Sequence, residues 1–166
     1  MDLKKTLELK KKDFINKWFK ATINSYPKQT AKFLIKDSDR FDNPVGALTR
    51  ESLTDTFQLL MTNFTPESLE KALDPIMRIR AVQSFSPAEA VSFVFALKET
   101  GEELLKNDES KEFDKLVDKL VLAAFNKYMK CREEVFLLKV MESKRRVHRA
   151  FERAGLVAEL KEEDLL

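Results

Sequence analysis

The side chains that most often carry out catalysis are scarce in this sequence. His148 is the single histidine and Cys131 the single cysteine among 166 residues. One histidine excludes a histidine-rich metal site, and the run of lysines and arginines around His148 favours a solvated position. Cys131 falls on the apolar stripe of a predicted helix without a nearby base, which favours a buried structural thiol over a nucleophile. We therefore predict no catalytic residue and no metal ligand.

Two charged patterns could bind ions. Asp37, Asp39 and Asp42 alternate like the ligands of a calcium loop, but the required glycine and closing glutamate are missing at their offsets. We interpret these acids as a capped loop before the next helix. Arg78 and Arg80 lie about 200° apart around a helix and cannot clamp one anion. Separate ion pairs are expected, with one arginine facing a cleft as the alternative.

Phenylalanine accounts for 13 residues. Some of these rings could line an apolar pocket, although aromatic residues at helical spacing more often form plain core. The hypothetical pocket consists of Phe85, Phe93, Phe95 and Phe125. No glycine-rich phosphate loop, supported carboxylate pair or nucleophile motif accompanies them, so neither an enzyme nor a bound cofactor is expected. Binding of a small apolar ligand in the helical core is the alternative function.

Prolines and apolar spacing predict the elements that position these side chains. Four prolines follow a good N-cap residue, at Asn43-Pro44, Thr65-Pro66, Asp74-Pro75 and Ser86-Pro87. Between them apolar residues recur every three or four positions, and no alternation of period two persists. We predict an all-α bundle of about six to seven helices, over residues 3–25, 28–35, 44–63, 66–73, 75–82, 87–106 and 110–152.

Two of these helices stand out. Residues 90–97 are apolar almost all round, so we expect this segment to run through the centre of the domain. The last helix would be about 64 Å long, against a domain diameter near 40 Å. It must either bend or break around Ser143 or project from the domain. A projecting helix would seek a partner, and a pair of identical chains is the simplest solution.

The end of the chain separates positive from negative charge. Residues 139–153 carry six Lys or Arg against two Glu, whereas residues 154–166 carry four acidic residues against one Lys. The basic run could bind nucleic acid or an acidic partner. A solvated helix end is favoured, because the run lacks interleaved aromatic residues and an acidic segment follows. The total charge of +2 gives no drive towards nucleic acid. The partner or dimer surface is expected to include Val140, Val147 and Phe151.

No apolar run in this sequence is long enough for a signal peptide at the N-terminus or for a membrane span. The longest mostly apolar run covers residues 90–97. A single cysteine, which cannot form a disulfide within the chain, also suits a reducing compartment. We therefore expect a cytoplasmic protein without a membrane span.

Three segments resemble a known family: Arg40–Gly46, Ile76–Val91 and Tyr128–Glu133. The middle segment joins an Arg-x-Arg pair, a glutamine, a cap-proline helix start and an apolar helix in a fixed order. Over roughly residues 10–142 the sequence resembles the N-terminal domain of RsbRD-type proteins, which are co-antagonists of the RsbT kinase in bacterial stressosomes.

This resemblance implies an all-helical, globin-like fold that lacks haem, pairs as a dimer and has a sensory or regulatory role. The absence of histidine from residues 66–82 agrees with the lack of haem. In full-length members the last helix leads into a STAS domain that a kinase phosphorylates, and here the sequence ends soon after the matching segment. We expect a stand-alone sensor domain (1–142) with a C-terminal helical extension and acidic tail (143–166). It would act by contact with a regulatory protein.

Overall fold

A computed structural model of the chain describes residues 2–36, 41–83 and 85–155. These residues form seven α-helices and no strand, which confirms the predicted all-α, globin-like bundle with a long C-terminal helix. The helices are α1 (Leu3–Asn24), α2 (Lys28–Leu34), α3 (Pro44–Leu60), α4 (Pro66–Val82), α5 (Pro87–Ser92), α6 (Ala96–Leu104) and α7 (Asn107–Arg153). The chain divides into two compact units, Met1–Arg132 and Glu133–Leu166. The predicted functional boundary at residue 142 stays a prediction.

Three of the four cap-proline pairs begin helices as predicted. The side chains of Asn43, Thr65 and Ser86 accept hydrogen bonds from backbone N–H groups in the first turns of α3, α4 and α5. The predicted capping box is also present, because the Glu89 carboxylate accepts the Ser86 N–H at 2.8 Å. Each helix start is therefore encoded within four residues of sequence.

The fourth pair was wrongly predicted to begin a helix. Pro75 lies inside α4, which runs unbroken where two helices, 66–73 and 75–82, were expected. A proline inside a helix removes one N–H donor and crowds the preceding turn. The carbonyl left without a donor is that of Lys71, and the Ser52 hydroxyl of α3 donates to the adjacent Ala72 carbonyl at 2.5 Å, which fastens α3 to the affected turn. Packing between α3 and α4 thus overrides the local signal.

The prediction of one helix over residues 87–106 is also wrong. The structure divides this range into α5 and α6 by a turn at residues 93–95. No glycine or proline marks this break. The Phe93 carbonyl accepts the indole N–H of Trp18 at 2.9 Å, while the Leu97 N–H donates to Val94 instead. A buried tryptophan thus takes the carbonyl that a continuous helix would use. The segment is central on one side only, because Val94 and Leu97 are fully buried and Phe95 is 47% exposed.

The core of the unit Met1–Arg132 is built on aromatic contacts between α1, α3 and α7. The ring of Phe14 lies 5.1 Å from that of Phe57 and 5.3 Å from that of Phe113, measured between centroids. The predicted stripe on the last helix is buried from Phe113 to Cys131, which confirms the structural interpretation of the cysteine. This half of α7 is therefore a core element.

Asn43 and Gly46 form the junction between α2 and α3. Asn43 is buried, and its Oδ1 accepts the Gly46 N–H at 3.0 Å. Its Nδ2 donates to the Leu34 carbonyl at 2.9 Å and to the Lys36 carbonyl at 3.2 Å. A Cβ atom at Gly46 would lie 2.6 Å from the Leu34 oxygen, so glycine is required. One amide thus caps both the end of α2 and the start of α3.

We predict that Asn43→Ala lowers the free energy of unfolding by about 2 kcal/mol, because a cap is lost and buried carbonyls lose their donor. Asn43→Ser keeps the cap acceptor but cannot bridge to α2, so its loss should be about half as large. Urea denaturation measures both, with Asn63→Ala on an exposed loop as the control. A serine variant as stable as the original would show that the bridge to α2 contributes nothing.

Candidate functional site

The Arg80 guanidinium lies at the junction of three helices in the unit Met1–Arg132. Arg80 is in the last turn of α4 and is 0% exposed. Its Nη2 donates to the Ser25 hydroxyl at 2.7 Å and to the Thr22 carbonyl at 3.3 Å. Its Nη1 donates to the carbonyls of Glu89 and Ala90, both at 3.3 Å. One side chain therefore ties together the end of α1, the end of α4 and helix α5.

The acceptors around Arg80 replace a counter-ion. Within the part of the chain that the structure describes, no carboxylate is ion-paired with Arg80, and its Nε has no hydrogen-bond partner. The Thr22 carbonyl belongs to the last turn of α1, and those of Glu89 and Ala90 to the last turn of α5. The Thr22 carbonyl also accepts from the Ser25 hydroxyl at 2.6 Å, and the Glu89 carbonyl from the Ser92 hydroxyl at 2.9 Å. Carbonyls at a helix end carry the negative end of its dipole. Two helix ends thus share one positive charge.

Three aromatic rings complete the surroundings of the guanidinium. Its carbon lies 4.7 Å from the ring centroid of Phe93, 4.8 Å from that of Phe85 and 5.2 Å from that of Tyr26. These distances suit cation–π attraction, which grows stronger away from water. Burial lowers the pKa of Arg80, and the neighbouring Tyr26 partly offsets this effect. Burial likewise raises the pKa of Tyr26, against the opposing effect of Arg80.

The prediction for the arginine pair is half confirmed. Arg78 forms the expected ion pair, with its Nε 2.8 Å from the Asp74 carboxylate. An ion pair at Arg80 was wrongly predicted, since its partners are carbonyls, a hydroxyl and rings. The spacing of apolar residues along α4 could have predicted that Arg80 is buried. Leu69, Leu73, Ile76 and Arg80 follow one another by four, three and four residues, and all four are buried.

The four phenylalanines of the hypothetical pocket lie in different surroundings. Phe85 and Phe93 come together around Arg80, whereas Phe95 and Phe125 are 47% and 44% exposed. A surface groove of about 550 Å³ between α3 and α4 contains none of these four rings. The pocket for an apolar ligand stays a prediction.

Helix α7 is joined to the neighbourhood of Arg80 by two hydrogen bonds. The Tyr128 hydroxyl donates to the Phe85 carbonyl at 2.9 Å, and Arg132 Nη1 donates to the Ala81 carbonyl at 2.9 Å. Ala81 follows Arg80 in the last turn of α4. An arginine of α7 therefore caps the same helix end from which Arg80 extends.

A row of exposed apolar side chains lies on the second unit. Residues Glu133–Arg153 are helical throughout, without a break at Ser143. We use the name C-terminal stripe for Phe136, Leu137, Val140, Val147 and Phe151. Four of its members are 49% to 65% exposed, and Val140 is half-buried. The predicted surface residues Val140, Val147 and Phe151 all belong to this stripe.

The other candidate residues are accounted for as follows. His148 is exposed, and its Nε2 lies 3.1 Å from Glu152, which confirms the solvated interpretation. Asp37 and Asp39 lie outside the described residues, and Asp42 is exposed. Over residues 2–36, 41–83 and 85–155, no group of three or more His, Cys, Asp or Glu is arranged to hold a metal ion. No helix in the same ranges is both long and apolar enough to cross a membrane.

Comparison with known proteins confirms the resemblance. A family model described as the RsbT co-antagonist protein rsbRD N-terminal domain matches residues 12–139. The chain belongs to this family. No curated protein and no solved structure matched the chain. The rsbRD N-terminal domain match includes the Asn43 junction and Arg80, and it ends within the C-terminal stripe.

We predict that Arg80→Lys lowers the free energy of unfolding of this rsbRD N-terminal domain by about 2–4 kcal/mol. A lysine presents one ammonium group where the guanidinium reaches four oxygens, so most of these hydrogen bonds are lost while a buried positive charge remains. Arg78→Lys is the matched control on the exposed side of α4 and should change stability by less than about 0.5 kcal/mol. Equal effects in chemical denaturation would contradict the role assigned to Arg80.

Asp74 provides a pH-dependent contact between α4 and α7. Its carboxylate lies 2.8 Å from Arg78 Nε and 2.5 Å from Lys127 Nζ. Burial raises the pKa of Asp74, but hydrogen bonds from Lys127 and Arg78 outweigh it and hold the pKa below its ordinary value. A lowered pKa means that the folded state favours the ionised form.

This stabilisation is present above the ordinary pKa of an aspartate and is lost as the pH falls through the lowered pKa. We predict that Asp74→Asn reduces the acid-side slope of stability against pH, measured by thermal unfolding between about pH 7 and pH 3. Asp55→Asn, at an exposed carboxylate of α3, should leave the slope nearly unchanged. Identical slopes for all three proteins would refute the assignment.

Proposed function

We propose that this chain is a non-enzymatic regulatory domain that acts through protein contacts made by its C-terminal stripe. Membership of the rsbRD N-terminal domain family supports a regulatory role of the stressosome type. The observation that carries the proposal is the exposure of Phe136, Leu137, Val147 and Phe151 along one helix. Contiguous apolar surface of this kind is typical of interaction sites.

The free energy for such a contact comes from burial of the stripe. Each large apolar side chain removed from water contributes about 1.5–3 kcal/mol, less the cost of ordering both partners. Phe136 and Phe151 lie four helical turns apart, which is long enough for a helical partner to pack along the row. Association through this face is therefore energetically accessible without a change in the bundle of helices.

Two finer features belong to the same proposal. The domain works in the cytoplasm, supported by the lone thiol Cys131. It also forms a homodimer, as the family resemblance implies, in addition to binding a regulatory protein. Light scattering at tens of micromolar tests the dimer: a mass of about twice 19.3 kDa is expected, and a strict monomer would contradict the dimer.

Contact through the stripe is tested by placing a photo-crosslinking residue at Val147 in the native host. We expect a discrete crosslinked product from Val147 that is missing when the same residue stands at Arg145, which faces away from the row. A product of twice the chain mass identifies a second copy, and any other mass identifies a different partner. Absence of a product, or identical products from both positions, would refute the proposal.

A further inference from the structure

The C-terminal stripe has the register of a coiled-coil seam. Within Glu133–Arg153, the positions conventionally called a and d repeat every seven residues, and the helix holds them on one side. Position a is occupied by Glu133, Val140 and Val147, and position d by Phe136, Ser143 and Ala150. The apolar part of the seam therefore runs from Phe136 to Ala150, with β-branched valine at two of its a positions. The remaining stripe residues, Leu137 and Phe151, stand at position e beside the seam.

Every charged residue that flanks this seam is a cation. The flanking positions e and g hold Lys139, Lys144, Arg146 and Arg153, and none holds an acidic residue. All four are exposed. Arg146 also contacts Glu142 on its own helix, 2.5 Å away, but an exposed pair of this kind contributes little. Flanking charges govern the choice of partner in paired helices.

Pairing with a second copy along this seam would bring like charges together. In a parallel pair, position g of one helix faces position e of the other, so Lys139 would meet Lys144 of the second copy. In an antiparallel pair, equivalent flanks meet, and Lys144 would face its own counterpart. Both arrangements place positive charges side by side, which opposes association at low salt.

We infer that the C-terminal stripe binds an acidic amphipathic helix of another protein, one with an apolar seam flanked by Asp or Glu. This inference rests on the proposed function and names the chemistry of the partner. An anionic membrane would also attract a basic amphipathic helix. The cations lie at both edges of a narrow seam with valine at position a, and this arrangement fits a second helix better than a lipid surface.

The test uses two synthetic three-heptad peptides with valine at a and leucine at d, which differ only in carrying glutamate or lysine at e and g. Binding to the full chain is measured by fluorescence anisotropy. The glutamate peptide should bind at least about tenfold more tightly than the lysine peptide. Raising NaCl from about 50 mM to about 500 mM should weaken its binding about tenfold, since exposed charge pairs are screened.

Variants of the chain distinguish the effect of the flanking charges from that of the apolar seam. The double change Lys139→Glu with Lys144→Glu should remove the preference for the glutamate peptide, because two carboxylates then balance Arg146 and Arg153. The matched control, Arg145→Glu with Arg149→Glu, lies away from the seam and should keep it. Val147→Asp should abolish binding of the glutamate peptide, whereas Met141→Asp, also away from the seam, should not. Circular dichroism verifies that every variant stays helical.

Three results would overturn the inference. The two peptides could bind the original chain equally, or the variant with Lys139→Glu and Lys144→Glu could keep its preference for the glutamate peptide. Self-association could strengthen with salt and disappear in Val147→Asp, which would identify a second copy as the occupant. Vesicles of phosphatidylglycerol could bind the chain while the glutamate peptide does not. If Val147 forms a crosslink and one of these three results is also obtained, the proposed function stands and only the acidic helix is refuted as the partner. Failure of the inference is therefore distinguishable from failure of the proposed function.

Discussion

The fold of the unit Met1–Arg132 depends on how it satisfies a buried positive charge that is paired with no carboxylate of the described residues. Burial of an unpaired guanidinium is costly, and the Arg80 site offsets this cost with helix-end carbonyls, a hydroxyl and three ring faces. The carbonyls at the ends of α1 and α5 carry the negative ends of two helix dipoles, and they accept from Arg80 beside the hydroxyls of Ser25 and Ser92. The helix ends therefore supply the negative charge that the guanidinium lacks, and loss of these contacts would leave it buried without compensation.

The features that follow from neighbouring residues could be predicted, and those that depend on distant contacts could not. Asn43, Thr65 and Ser86 cap helices because a cap is read within one turn. The break between α5 and α6 depends instead on the indole N–H of Trp18, 75 residues away. Arg80 was misassigned because a charged residue was expected at the surface, although its spacing from the buried leucines of α4 placed it inside.

The C-terminal stripe could also be predicted in part from the sequence. The length of the last helix and its apolar residues indicated a contact surface at Val140, Val147 and Phe151, and all three lie on one exposed or half-buried row. The basic residues nearby were interpreted as a solvated helix end, with binding of nucleic acid or an acidic partner as the alternative. The effect of these basic residues on the choice of partner depends on their positions relative to the coiled-coil seam. A count of charges cannot distinguish flanking positions from the opposite side of a helix, whereas the heptad register does.

A partner surface of this kind gains specificity from what it repels. Apolar side chains such as Val147 and Phe151 attract almost any helix with a matching row, because burial of apolar area does not discriminate. Cations at both flanks add a penalty against basic helices and against copies of the same helix, while they favour acidic ones. Specificity is a difference between affinities. A modest electrostatic contribution along several positions can therefore select the partner, even though the apolar contacts supply most of the binding free energy.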